Sequence, residues 1–264
     1  MFSFNSIIKN RPLLMGIVNV TPDSFSDGGK YFDTDSAVRH ALMLIDDGAD
    51  IIDIGAQSTR PGYSEVSPDE EKTRLSGVIK ALRAKTDITI SVDTYFPEVA
   101  EFALKCGADI INDVSGSWNT DMAEIVRNGG AGWIIMHNGA GSVDEVKAFF
   151  EDMAQKCDEF GIKKEQLCFD MGIGFGKSYE ENLELIANID LYKKADYPLL
   201  LGVSRKRVIG KGSGQEKPDE RVYGNIAADT AAIFGGADII RLHDVKNEKQ
   251  GILMASELKS KRRK

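Results

Sequence analysis

The sequence predicts an α/β protein built as a single (β/α)8 TIM barrel over residues 1–264. Three observations carry this reading. Eight short Ile- and Val-rich apolar runs are spread along the whole chain, with segments of helical spacing between them. The links from a helical segment into the next run repeat one tripeptide, Gly-Ala-Asp, at 48–50, 107–109 and 236–238. No linker or composition break divides the 264 residues, a length that matches one closed barrel of about 250 residues. Continuous apolar runs suit strands buried on both faces of a parallel sheet. A doubly wound open sheet is the runner-up, but its Gly-rich dinucleotide loop, expected early in the chain, is missing.

The strands are expected at 13–18, 51–54, 88–92, 110–111, 132–136, 167–169, 199–203 and 239–242. The first helical segment, 36–45, puts Ala37, Ala41, Leu42 and Ile45 on one side, as in an amphipathic helix. The second, 69–82, is opened by Ser67-Pro68. That is a capping residue followed by proline at the first helical position, where its missing N–H costs nothing. Segments 97–105, 142–160, 179–192 and 221–234 read the same way. The glycine of each Gly-Ala-Asp stands where a helix ends in a left-handed residue. The basic tail 259–264 is expected to be disordered beyond the last helix.

Composition narrows the function. A hydrophobic fraction of 42% supports a large shared core, and a charged fraction of 28% suits an ordinary soluble surface. Lys and Arg number 33 against 41 Asp and Glu, a net charge of −8. This argues against nucleic acid as a partner, which calls for a basic face. Cys106, Cys157 and Cys168 are odd in number and widely spaced. They fit reduced thiols better than a disulfide framework or a zinc site. Residues 1–12 lack the apolar run of a signal peptide, and no stretch approaches the ~20 apolar residues of a membrane helix. The expectation is a cytoplasmic protein without a membrane partner.

The chemistry lies just beyond each run. The first gives Asn19-Val20-Thr21-Pro22-Asp23-Ser24-Phe25-Ser26-Asp27-Gly28-Gly29, and the second Ser58-Thr59-Arg60-Pro61-Gly62. The third ends in Asp93-Thr94, the fourth in Asn112-Asp113 and the fifth in His137-Asn138. The sixth opens Asp170-Met171-Gly172-Ile173-Gly174-Phe175-Gly176-Lys177, the seventh Ser204-Arg205-Lys206, and the eighth Arg241-Leu242-His243-Asp244. One Asp or Asn at a strand end is equally well a loop cap. Polar groups at all eight ends mark the rim where barrel enzymes keep their sites. Arg60, Lys206, Arg241 and His243 offer positive charge, and Arg grips phosphate oxygens with a fork. Asn19, beside a phosphorylated ligand, could hold Mg2+, which favours oxygen ligands. Asp93, Asn112 and Asp170 could pair with a flat nitrogen heterocycle. No Ser or Cys at a strand end sits in a motif with a base, so no covalent enzyme intermediate is expected.

At these residues the sequence resembles the dihydropteroate synthases. The stretches 19–29 and 58–62, Ser91-Val92-Asp93-Thr94, Asn112-Asp113-Val114-Ser115-Gly116, Gly174-Phe175-Gly176-Lys177, Ser204-Arg205-Lys206 and Arg241-Leu242-His243-Asp244-Val245 are similar to that family's signatures and stand in its order. The likeness spans about residues 13–258. It implies a folate-pathway transferase that joins 6-hydroxymethyl-7,8-dihydropterin pyrophosphate to p-aminobenzoate, giving 7,8-dihydropteroate and pyrophosphate, with Mg2+ as cofactor. It also implies a homodimer.

By the same resemblance, Asp93, Asn112, Met136, Asp170, Phe175, Lys206 and Arg241 hold the pterin. Asn19, Thr59, Arg60, Arg241 and His243 hold pyrophosphate, with Asn19 on the metal. Phe25, Thr59, Arg60, Pro61, Phe175 and Arg207 form the p-aminobenzoate pocket. Asp93, Asp27, Lys206 and Arg241 are the catalytic groups. Three positions depart from the family's pattern: Met171 where it usually has Pro, Ala56-Gln57 where it has Gly-Glu, and Arg207 where it often has Ser. A pterin-binding methyltransferase barrel would share the strand-end Asp, Asn and Asp. It would not need the pyrophosphate groups or the Ser-Thr-Arg-Pro-Gly loop. A non-catalytic pterin-binding paralogue would have lost the motif residues, which are present.

Overall fold

The structure, a computed structural model, describes residues 1–8, 10–20, 34–57, 66–193 and 196–262. The strands are β1 (Leu13–Asn19), β2 (Ile51–Gly55), β3 (Thr89–Asp93), β4 (Ile110–Asp113), β5 (Gly132–Met136), β6 (Leu167–Asp170), β7 (Leu199–Leu201) and β8 (Ile239–Leu242). They run parallel and pair in chain order, and β8 closes on β1 through Leu13–Gly16 against Ile239–Leu242. The helices are α1 (Phe4–Ile7), α2 (Thr34–Asp47), α3 (Pro68–Arg83), α4 (Pro97–Cys106), α5 (Thr120–Gly129), α6 (Val143–Glu159), α7 (Tyr179–Ala187), α8 (Ile189–Tyr192), α9 (Arg207–Ser213), α10 (Val222–Gly235) and α11 (Val245–Ser260). The predicted barrel is therefore the observed one. No helix among the described residues is long and apolar enough to cross a membrane.

Several details differ from the expectation, each for a local reason. The helix expected over 179–192 is two, broken at Asn188, whose φ of −121° and ψ of 33° leave the helical region. Helix α5 was hidden by its short, polar sequence. Asn119 caps it by accepting from the Met122 N–H, and Met122, Ala123 and Val126 bury one face. Helix α9 contains Gly210 and Gly212, poor helix formers, and exists because Val208 and Ile209 are buried. At the C-terminus, α11 continues through Lys259 and Ser260, so these two residues belong to the helix and not to a disordered tail.

The side-chain period of two sorts each strand into an outward and an inward set. Leu14, Ile52, Ile90, Ile111, Trp133, Ile135, Phe169 and Ile240 belong to the large core shared with the helices. Leu13, Met15, Ile51, Ile110, Ile134, Cys168, Leu200 and Ile239 form a second apolar cluster inside the barrel. Phe4 of α1, fully buried, plugs it from below. Two residues further along the four even-numbered strands the inward set turns polar: Asp53, Asn112, Asp170 and Arg241 follow Ile51, Ile110, Cys168 and Ile239. The barrel is thus dry at its base and charged at its mouth.

The repeated Gly-Ala-Asp is a structural device at the base. Gly48, Gly107 and Gly236 have φ of 109°, 108° and 116°, values that favour glycine. Each Asp then accepts a backbone N–H from a neighbouring strand. Asp50 accepts from Leu14, Asp109 from Ile90 and Asp238 from Leu199, each at 2.9 Å. Each Asp also meets a cation: Arg11 at 2.7 Å, Arg83 at 2.6 Å and Lys193 at 2.5 Å, respectively.

Candidate active site

The polar residues converge at the C-terminal mouth because the register aligns the strand ends. Asn19 lies opposite Gly55, Gly55 opposite Asp93, and Asp93 opposite Asn112. Met136 lies opposite Asp170 across β5 and β6. Arg241 reaches across the mouth to two carboxylates. Its Nε and Nη2 lie 2.7 and 2.6 Å from Asp53 Oδ2, and Nη2 donates to Asp93 Oδ2 at 2.9 Å. The same Asp53 oxygen accepts from Asn112 Nδ2 at 3.2 Å. Asp53 is fully buried, and a buried carboxylate persists only when paired and hydrogen-bonded.

Burial sets the titration of the mouth. Asp93 is pushed up to about 7 by burial, against the lowering charge of Arg241; the charges of Asp53 and Glu71 add to the rise. Asp170 is also raised by burial, opposed by Lys206 and by the Gly172 N–H. Lys206 is lowered to about 8 by burial, opposed by Asp170, with Arg241 and Lys177 pushing the same way as burial. One acid, Asp93, and one base, Lys206, therefore change charge near neutrality within one cluster, as groups at reactive sites often do.

The turn after β6 is built around Asp170. Its Oδ1 accepts from the Gly172 N–H at 2.8 Å. Gly172 has φ of 67°, and a Cβ there would lie 1.9 Å from the His137 carbonyl oxygen, so only glycine fits. Lys177 Nζ donates to the carbonyls of His137, Gly172 and Phe175 at 3.2, 3.0 and 3.3 Å, which fastens this turn to the end of β5. Lys206 Nζ donates to the Ile173 carbonyl at 2.5 Å and sits 4.7 Å from the centre of the Phe175 ring. Met171, in place of the usual proline, is buried, and its sulfur accepts from the Tyr192 hydroxyl at 3.1 Å. The turn is thus held by packing and by Lys177 without the proline.

The remaining expected residues divide into three groups. His243 lies at the rim, and its Nδ1 is 3.1 Å from Ser204 Oγ, which also accepts from the His243 N–H at 3.2 Å. Asn19 closes β1 half-buried, and Met136 is buried at the end of β5. Arg207 is exposed at the first turn of α9, next in the chain to Lys206. Phe25, Asp27, Thr59, Arg60 and Pro61 lie outside the described residues. Gln57, in place of the usual Glu, donates to the Tyr95 hydroxyl at 3.1 Å. Asp113, Asn138 and Asp244 serve local structure. Asp113 accepts from the Ser115 N–H, Asn138 donates to the Val114 carbonyl, and Asp244 caps α11.

Sequence reasoning missed Asp53, which sits inside the apolar run Ile-Ile-Asp-Ile. The available signal was its oddity: a charge inside a strand buried on both faces needs a buried partner. The role of Lys177 was missed too, because a lysine bonded to three carbonyls leaves no mark beyond its glycine-rich neighbours.

Comparison with known proteins matches this arrangement. The family described as "Pterin binding enzyme" matches residues 15–243. A dihydropteroate synthase of Clostridium beijerinckii is 44% identical over 247 residues, covering 90% of this chain and 91% of the relative. One from Bacillus subtilis is 43% identical and covers 90% of this chain and 85% of its own. Among solved structures, Xanthomonas albilineans dihydropteroate synthase with 4-aminobenzoic acid superposes with a TM-score of 0.90 at 40% identity, covering 95% of this chain and 94% of that one. The same enzyme in complex with 7,8-dihydropteroate gives 0.87 at 38% identity, with the same coverage of both chains. Matched along nearly its whole length in sequence and in fold, the chain belongs to the dihydropteroate synthases, within the pterin binding enzymes.

Proposed function

We propose that the chain condenses 6-hydroxymethyl-7,8-dihydropterin pyrophosphate with p-aminobenzoate, releasing 7,8-dihydropteroate and pyrophosphate. The observation that carries this is the joined network of Arg241, Asp93, Asp53 and Asn112, with Asp170 and Lys206, at one barrel mouth. Asp93, Asn112 and Asp170 offer acceptors and an amide to the edge of a pterin, and Lys206 with Phe175 borders its face. His243, oriented by Ser204, and the guanidinium of Arg241 face the pyrophosphate. As the C–O bond breaks, these two groups take up the charge on the leaving group, and Asp93 and Asp170 stabilise the electron-poor pterin methylene.

Among the described residues, Mg2+ fits this donor set as a substrate-borne ion. No group of three or more His, Cys, Asp or Glu among the described residues could hold a metal, so one amide oxygen from Asn19 would add to phosphate oxygens and water, as Mg2+ prefers. Bound there, Mg2+ would neutralise pyrophosphate charge. Arg207 borders the p-aminobenzoate side in this reading; the assignment of Phe25, Thr59, Arg60 and Pro61 to that pocket and of Asp27 to catalysis rests on the family resemblance, these residues lying outside the described ones.

The test is direct. The purified chain, given both substrates and Mg2+, should form 7,8-dihydropteroate, read by mass spectrometry, and release equimolar pyrophosphate. Absence of the product with substrates of verified integrity overturns the reading.

A further inference from the structure

We propose that Asp53 is a positioning residue that fixes the side-chain amide of Asn112 and thereby sets which hydrogen-bonding edge the barrel mouth offers to a heterocycle. This role rests on the reading of the mouth as a pterin site and goes beyond it, because Asp53 need not touch the substrate.

The chemistry of two side chains decides the arrangement. The two ends of an asparagine amide are almost the same shape, so a half-turn about its last bond exchanges a donor for an acceptor. Packing alone does not choose between them. Asp53 does, because an ionised carboxylate only accepts. Its Oδ2 lies 3.2 Å from Asn112 Nδ2, accepts from Arg241 Nε at 2.7 Å and lies in an ion pair 2.6 Å from Arg241 Nη2. A carbonyl oxygen of Asn112 turned toward Asp53 would bring two acceptors together in a fully buried place. The amide is therefore locked with its NH2 on Asp53, and Asn112 Oδ1, buried and without a hydrogen-bond partner, is left as an acceptor. A ring bound against it must offer an N–H there, and a ring with a bare nitrogen at that place leaves two acceptors facing each other.

The same oxygen also orients Arg241. With Nε and Nη2 held on Asp53, Nη2 is delivered to Asp93. One carboxylate deep in β2 thus sets the rotamers of two groups on β4 and β8. The three side chains come from strands far apart in sequence, and their register brings them to one level of the barrel. That coupling across strands is what a purely local structural acid would lack.

A double-mutant cycle tests this, with binding of 6-hydroxymethylpterin read by calorimetry and folding by circular dichroism. Asp53→Ala should weaken binding at least about tenfold when Asn112 is present, yet no more than about threefold in an Asn112→Ala background, because residues acting through each other are not additive. Asp53→Asn should recover most of the loss, since its amide oxygen can take the place of Oδ2. Equal weakening by Asp53→Ala in both backgrounds overturns the positioning of Asn112 and leaves the pterin site standing. Unchanged binding by Asn112→Ala alone overturns the pterin-site reading, and this inference with it. Should Asp53→Ala not fold, the side-chain amide protons of Asn112 in the unsubstituted protein decide the matter by NMR. Slow exchange with water supports the lock, and exchange as fast as that of surface asparagines overturns it.

Discussion

At the scale of single residues, Asp93 is the sharpest case. It ends β3, receives Arg241 Nη2 at 2.9 Å, and burial has raised its carboxyl to about 7. Its ionised form is the one that can stabilise a cationic pterin methylene, and that form fills as pH rises through about 7. Lys206, lowered to about 8, loses its charge just above. The two groups interact, so the apparent values belong to the cluster. kcat/KM should therefore climb through pH 7, pass a narrow maximum and fall above pH 8. A flat profile from pH 6 to 9 contradicts this assignment. Asp93→Asn keeps the shape and removes the charge, and should lower kcat by about 10²–10³, as when one preorganised electrostatic contact is lost; stopped assays of product formation read it. Asp93, Asn112, Asp170 and Lys206 were legible in the sequence because they follow the end of an apolar run, and Arg241 because it opens the polar stretch Arg241-Leu242-His243-Asp244. Asp53 was not, because it lies inside a run and owes its role to Arg241, 188 residues away in the chain.

At the scale of elements, the most readable feature is the Gly-Ala-Asp link, and the structure gives it more meaning than a helix stop. The glycine turns the chain, and the aspartate ties two strands together at the base. Asp109 shows the whole device: it accepts the Ile90 N–H and pairs with Arg83, which also donates to the Gly107 carbonyl. Asp109→Ala removes charge-assisted bonds and should cost about 1–3 kcal/mol. For a chain of this size that is a fall in Tm of roughly 2–4 °C per kcal/mol, with kcat unchanged because the base lies at the end opposite the mouth. Loss of activity without loss of stability would place Asp109 in the wrong role. Elements without such signals were missed. Helix α9 carries two glycines in seven residues, and only the burial of Val208 and Ile209 holds it as a helix. Helix α5 is short and polar, and packing of one narrow face decides it. In both, tertiary contacts override weak local preference, which no window of sequence displays.

At the scale of the whole molecule, stability should depend on a pair of buried acids outside the hydrogen-bond network of the mouth. Asp229 of α10 and Glu248 of α11 are buried, in the helix pair that flanks β8. Asn225 Nδ2 donates to Glu248 Oε1 at 3.1 Å, and the Asp229 and Glu248 carboxyls meet in a side-chain hydrogen bond. Burial raises Asp229 well above its ordinary range, and the charge of Glu248 adds to the rise. Burial raises Glu248 to about 7; Asn225 and the charge of Arg205 oppose this, and Asp244 adds to it. A carboxyl raised in the folded state holds its proton more tightly there than in the unfolded chain, where it titrates near 4.5. Between these values the folded state binds more protons, so stability falls as pH rises. For Glu248 the loss begins near pH 4.5 and is complete a little above 7. Asp229→Asn removes one acid and supplies an amide donor to the other. Its Tm should equal that of the unsubstituted protein near pH 5 and exceed it by several degrees at pH 8. Other raised acids, Asp93, Glu71 and Asp113, are common to both proteins, so the difference between the two melting curves isolates the α10–α11 pair. Thermal melts followed by circular dichroism at pH 5, 6, 7 and 8 read this difference. A gap in Tm that is the same at every pH would show that the substitution acts through packing and that the two acids share no proton.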